Sequence, residues 1–149
     1  MQGLEFSSQL SLSEQFSIGL SGHYIETEFV KISDATSPFA LGDPVNYTPK
    51  YSVSLNTKFT FEGPMGAEGV ALLDYNQQGG SSAIRSQTIR GESETLGQLS
   101  AQIGLDWDSF STRLFGRNLT DERDFTFFPL VSFAQPRPRT WGIDFTYRF

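Results

Sequence analysis

The chain has no cysteine and a single histidine. Without cysteine, neither a disulfide framework nor a Cys-containing zinc site is possible. A Ser-His-Asp arrangement would have to be built on His23 alone, and no nucleophile-elbow pattern accompanies it. Gly79, Gly80 and Gly91 lack the strand-to-helix setting of a phosphate-binding loop. No stretch approaches the roughly 18–20 apolar residues of a membrane-spanning helix. The start, MQGLEFSSQL, has no charged segment followed by an apolar one, so no signal peptide is visible. Basic residues are outnumbered, 11 against 17 acidic, for a net charge of -6. A nucleic-acid partner would want a basic face. No catalytic, cofactor-binding or metal-binding residue is assigned, and the expectation is a protein that is not an enzyme.

What the chain does have is alternation. Aromatic residues make up 14%, with 14 Phe, yet the mean hydropathy is -0.29. The last residues, RTWGIDFTYRF, place Trp141, Ile143, Phe145, Tyr147 and Phe149 on one parity, with Gly142, Asp144, Thr146 and Arg148 between them. A strand of that period has one apolar and one wet face. Leu4, Phe6, Leu10 and Leu12 repeat the pattern, as do Phe16, Ile18, Leu20 and Tyr24 after a break at 13–15. Tyr51, Val53, Leu55, Phe59 and Phe61 follow, then a turn at 62–67 and a less regular strand at 69–76. Leu99 to Trp107 alternate again, and a turn at 108–109 leads into 110–118. Residues 33–48, 77–95 and 119–138 read as long loops.

About seven strands result, with connections alternating short and long. Outer-membrane barrels alternate in this way, with short periplasmic turns and long outer loops. A strand of roughly ten residues, tilted about 45°, spans about 23 Å, close to the apolar band of such barrels. Placing the long loops outside sorts the aromatics into two girdles. Tyr24, Tyr51, Tyr75 and Trp141 fall near the outer rim; Phe16, Phe61, Trp107, Phe110, Tyr147 and Phe149 fall near the inner rim. The fold class expected is all-β: an antiparallel meander of about seven transmembrane strands, a partial outer-membrane β-barrel. Two other architectures have the same alternation. One is a complete small barrel, an adhesin or pore, with an eighth strand in 124–135. The other is a soluble β-sandwich binding module.

Two segments carry a more specific signal: GRNLTDE at 116–122, and Pro138-Arg139-Thr140-Trp141-Gly142 opening the last strand. Together with GLEF at 3–6 and NYTPKYSVSL at 46–55, they resemble the C-terminal end of TonB-dependent outer-membrane receptors. The resemblance runs over essentially the whole chain. It marks Asn118, Leu119, Asp121 and Glu122 as a family motif. It also marks Gly142, Phe145, Tyr147 and Phe149 as a signal read by the outer-membrane assembly machinery, with Phe149 two residues beyond the usual aromatic end. It implies a receptor in the outer membrane of a Gram-negative bacterium that binds a scarce nutrient, commonly a ferric siderophore, and imports it with TonB-coupled energy. The export signal, the plug through which TonB acts and most of the barrel would lie upstream of 1–149. The partners implied are outer-membrane lipid, the rest of the barrel and plug, and the assembly machinery. No cofactor is implied.

Residue chemistry adds smaller expectations. Asn118 and Asp121 tolerate left-handed backbone, which suits a strand end. Phe125, Phe127, Phe128 and Phe133 form an aromatic loop that would line an extracellular ligand pocket or pack on itself. His23, Arg113 and Arg117 fall on the polar parity and are placed in the lumen. Glu26/Glu28 and Asp106/Asp108 are i, i+2 pairs at strand ends and read as solvated rims.

Overall fold

The computed structural model describes residues 1–124 and 135–149. One antiparallel sheet dominates. It contains β1 (Gln2–Ser11), β2 (Phe16–Glu26), β3 (Tyr51–Glu62), β4 (Glu68–Gln78), β7 (Leu96–Asp106), β8 (Phe110–Arg117) and β9 (Thr140–Tyr147), paired in that order. The meander is interrupted once, by a small hairpin of β5 (Ser82–Ile84) and β6 (Arg90–Glu92) between β4 and β7. The sheet is not closed: β1 and β9 are its edges. Among the described residues no helix is long and apolar enough to cross a membrane, which says nothing of crossing by strands.

Local chemistry sets the three tight turns. In the first, the Ser13 hydroxyl accepts hydrogen bonds from the amides of Gln15 (3.2 Å) and Phe16 (3.0 Å). The short polar side chain thus does the work of a backbone turn. In the second, Pro64 opens a single 3-10 turn, and Met65 (φ 55°) and Gly66 (φ 76°) bend the chain through left-handed backbone. In the third, the Trp107 amide donates to the Phe110 carbonyl at 2.8 Å.

Register then joins the strands into a wall with two unlike faces. Leu4 faces Tyr24, which faces Tyr51; Leu10 faces Ile18, which faces Thr57 and then Leu73, Ala101 and Gly116. Ile103 faces Leu114, and Leu114 faces Ile143. One mainly apolar face therefore runs from β1 to β9. The opposite face carries Glu5, Ser7, His23, Ser52, Ser54, Asn56, Asp74, Asn76, Gln98, Gln102, Arg113 and Asp144 on matching positions. The irregular VALL of β4 has a simple origin: Val70 and Leu72 lie on the polar-face parity, opposite Thr60 and Lys58.

Among the described residues no second layer covers the apolar face. Trp141, Ile143 and Phe145 are 63%, 73% and 67% exposed, and Leu4 is 72% exposed. The buried apolar residues are Ala67, Ala83, Ile84 and Leu96, three of them at the long-loop end of the sheet. The chain exposes 10419 Å² for 16.6 kDa, whereas a compact monomer of that mass exposes about 7,600 Å².

Aromatic rings are laid over glycines of the neighbouring strand instead of into a core. A side-chain carbon added to Gly142 would meet the ring of Phe115, its cross-strand partner, and one added to Gly69 would meet Phe61. Trp141 lies against Gly116 in the same manner, 2.7 Å from where such a carbon would stand. Replacing Gly142 by Val is therefore expected to destabilise the sheet by about 1–3 kcal/mol through overpacking. Thr146→Val, on the same strand and face, is expected to change little. Denaturant unfolding of both variants in detergent micelles checks this.

Candidate functional site

Two cross-braced clusters sit at the long-loop end of the sheet, and both are made by residues far apart in sequence. The first fastens segment 27–50 to the β5–β6 hairpin. Asp43, with its side chain 12% exposed, accepts a bidentate pair of hydrogen bonds from Arg90, at 2.7 and 3.0 Å. The Ala40 amide donates to the same carboxylate at 2.6 Å. These bonds, the one from Arg90 first, hold the Asp43 carboxyl below its ordinary pKa. Asn46 mimics a strand: its amide donates to the Ile84 carbonyl and its oxygen accepts from the Ile84 amide, both at 2.8 Å. Tyr47, at φ 59°, extends this pairing by donating its amide to the Ser82 carbonyl at 2.9 Å. Phe29 and Phe39 stack at 4.4 Å inside the same segment.

A cavity of about 770 Å³ lies under this brace, bordered by Ile25, Glu28, Lys50, Ser82, Arg90 and Glu92. Among the described residues its lining has hydroxyls, carboxylates and two cationic side chains, and no aromatic ring. Among the described residues no group of three His, Asp or Glu side chains converges to hold a metal ion.

The second cluster is centred on Asn118, which is 4% exposed. Its amide nitrogen donates to the carbonyls of Glu122 (2.9 Å) and Arg137 (2.8 Å). Its oxygen accepts from the Glu122 amide (2.9 Å) and the Thr120 hydroxyl (3.2 Å). Leu119 donates its amide to the Leu99 carbonyl at 2.7 Å, and Thr120 donates its hydroxyl to the Gly97 carbonyl at 2.8 Å. Glu122 accepts from the amides of Asp124, Arg123 and Gly97, at 3.1, 2.9 and 3.2 Å. The Asp124 amide is the largest of the causes that keep its carboxyl below the ordinary range. Asp121 pairs with Arg123 at 2.9 Å and lies 3.9 Å from Arg139. Asn118 and Asp121 have φ of 51° and 55°. The four motif residues are thus a clasp tying the start of β7, the exit of β8 and the approach to β9.

The remaining sequence expectations are not gathered in one place. Phe125, Phe127, Phe128 and Phe133, and most of the segment considered for an eighth strand, lie outside the described residues. His23 sits on the polar face between Glu5 and Ser52. Arg113, on β8 and four strands away from His23, pairs with Asp106 at 3.3 Å, and the Arg117 guanidinium lies 4.9 Å from the centre of the Phe115 ring. Phe145 and Tyr147 face the apolar side and Gly142 the polar one, while Phe149 follows β9 and meets Tyr147 edge-on at 5.2 Å.

Two readings need correction. Residues 77–95 are not one loop: β4 continues to Gln78, and a hairpin of two three-residue strands follows. Strands that short, rich in Ser and Gly, carry no period to read. Asp106 is not a merely solvated rim, because it bridges Arg113 and Arg148. Asp43, Asn46 and Arg90 had no sequence signal, since their partners are 38 to 47 residues away.

No family model, curated protein or solved structure matches this chain.

Two outcomes follow from these clusters. Asn118→Ala removes four side-chain bonds from a buried left-handed position and is expected to cost about 2–4 kcal/mol. Asn118→Gly keeps the backbone but not the bonds and is expected to recover only a fraction of that in denaturant unfolding. The lowered pKa values of Asp43 and Glu122 also fix a sign. A carboxyl with a folded value below its unfolded value stabilises fully above the unfolded value and loses that contribution as pH falls through the folded one. Loop protection against limited proteolysis by an acid-active protease is expected to hold above about pH 4 and to be lost progressively as pH falls further.

Proposed function

We propose that this chain is the C-terminal wall segment of a TonB-dependent outer-membrane receptor. The parent binds a scarce nutrient such as a ferric siderophore outside the cell and imports it with energy passed through TonB and the plug. The segment itself is not active alone; its role is to form wall, outer loops and the closing edge. It works in the outer membrane of a Gram-negative bacterium, against lipid on one face and against the plug and lumen on the other.

The observation that carries this reading is the uncovered apolar face spanning all seven strands. A monomeric soluble protein rarely exposes a continuous apolar patch beyond a few hundred Å². Lipid supplies the missing cover, and the aromatic side chains at both strand ends suit the two interfaces. A soluble sandwich would need a second sheet on that face.

Strand direction limits how the wall can be closed. β1 and β9 both run from the long-loop end to the short-turn end, because they are the first and last of seven antiparallel strands. All-antiparallel closure then requires an odd number of further strands. The edges left open are not tolerated in hydrocarbon, so the wall requires more chain.

The reading frame upstream of the Met1 codon is expected to encode a plug and further barrel strands. An in-frame stop with no such sequence overturns the proposal. Expressed alone, residues 1–149 are expected to give no stable unitary conductance in planar bilayers. Trp107 and Trp141 in the parent are expected to be quenched by brominated phospholipid, and absence of quenching at both removes the lipid-facing assignment.

A further inference from the structure

Alternation fixes which face of a strand is apolar, but only to within two residues. A one-residue slip turns every side chain over, whereas a two-residue slip leaves the faces intact. In β1–β2, β3–β4 and β7–β8 a tight turn removes that freedom. β9 has no such turn: residues 118–139 separate it from β8, and its other edge is unpaired. Its pairing of Phe110 with Tyr147 through Arg117 with Thr140 must be selected by side chains.

We propose that β9 is held in register by a two-point lock. The lower point is Asp106, at the end of β7. One carboxylate oxygen accepts from Arg148, just past β9, at 3.1 Å, and the other accepts from Arg113 of β8 at 3.3 Å. Arg148 also donates to the Trp107 carbonyl at 3.3 Å, and its backbone amide donates to Ser109 at 2.8 Å. One carboxylate therefore measures the height of the chain end against the two preceding strands. The upper point is the Phe115 ring laid on Gly142. A slip of two residues in one direction would put Thr140 under that ring, and in the other Asp144; both carry a side chain where the ring now lies. Either slip also moves Arg148 by about 7 Å along the strand, away from Asp106. The lock sets the height at which the free edge of β9 is offered to the next strand. It rests on β8–β9 geometry and not on the membrane reading.

The absence of native cysteine allows a direct test. Thr112 faces Phe145 in the observed register, and would face Ile143 or Tyr147 after a slip of two. In the full chain, Thr112→Cys is combined in turn with Phe145→Cys, Ile143→Cys and Tyr147→Cys, and disulfide yield under mild oxidant is read by mass spectrometry. The 112/145 pair is expected to dominate. Arg148→Gln with Phe115→Leu is expected to raise a slipped pair at least tenfold at the expense of 112/145, with each single substitution intermediate and Arg148→Lys close to the parent. Loss of stability alone lowers all yields together; loss of register moves yield from one pair to another. The proposal is overturned if the double variant keeps the 112/145 pair dominant, or if all three yields fall in proportion.

Discussion

Every strand pairing in the main sheet obeys one constraint: the mainly apolar parity of one strand lies opposite the mainly apolar parity of the next. Seven strands joined by six pairings keep a single parity from Leu4 to Ile143. Because side chains alternate strictly, one pairing out of step would have put half the wall wrong side out. The uncovered face, the placement of the aromatics at strand ends and the polar opposite face all follow from that shared parity. So does the meagre core. A wall of one layer has no interior, and its buried apolar residues gather where loops fold back on it.

The loops answer to different physics. Segment 27–50 and the β5–β6 hairpin lack any period, and they are ordered by specific polar bonds, the Asp43–Arg90 fork and the paired Asn46–Ile84 hydrogen bonds, while the Asn118 clasp orders the exit of β8. Buried polar groups of this kind stabilise when every partner is present and cost heavily when one is removed. The wall tolerates conservative apolar change on its exposed face, while the loops depend on a few exact donors and acceptors.

How much of this was legible in the sequence divides along the same line. Strand positions, the three tight turns and the two faces could be read locally, because period and turn chemistry act between near neighbours. Even VALL, which blurred β4, altered only one strand's clarity. The positive φ of Asn118 agrees with what its side chain tolerates, but its reach to Arg137 has no trace in local pattern. Arg113 fell on the expected face, while its partner Asp106, and the further tie from there to Arg148, depend on β7, β8 and β9 lying side by side. Bonds made across long sequence separations are set by topology, and a single sequence shows topology only through its turns.

Those turns also impose an order in time. β1–β2, β3–β4 and β7–β8 are local hairpins, each able to form on its own within microseconds. β9 alone lacks a neighbour in sequence. It must wait for β8 to exist as a template and then close a connection of residues 118–139 against the entropy of a long loop. Assembly of this wall is three fast local events followed by three slower closures of long connections, between β2 and β3, β4 and β7, and β8 and β9. β9 joins the wall as a single strand and not as half of a hairpin, and the Asn118 clasp at the root of its loop shortens the distance it must explore.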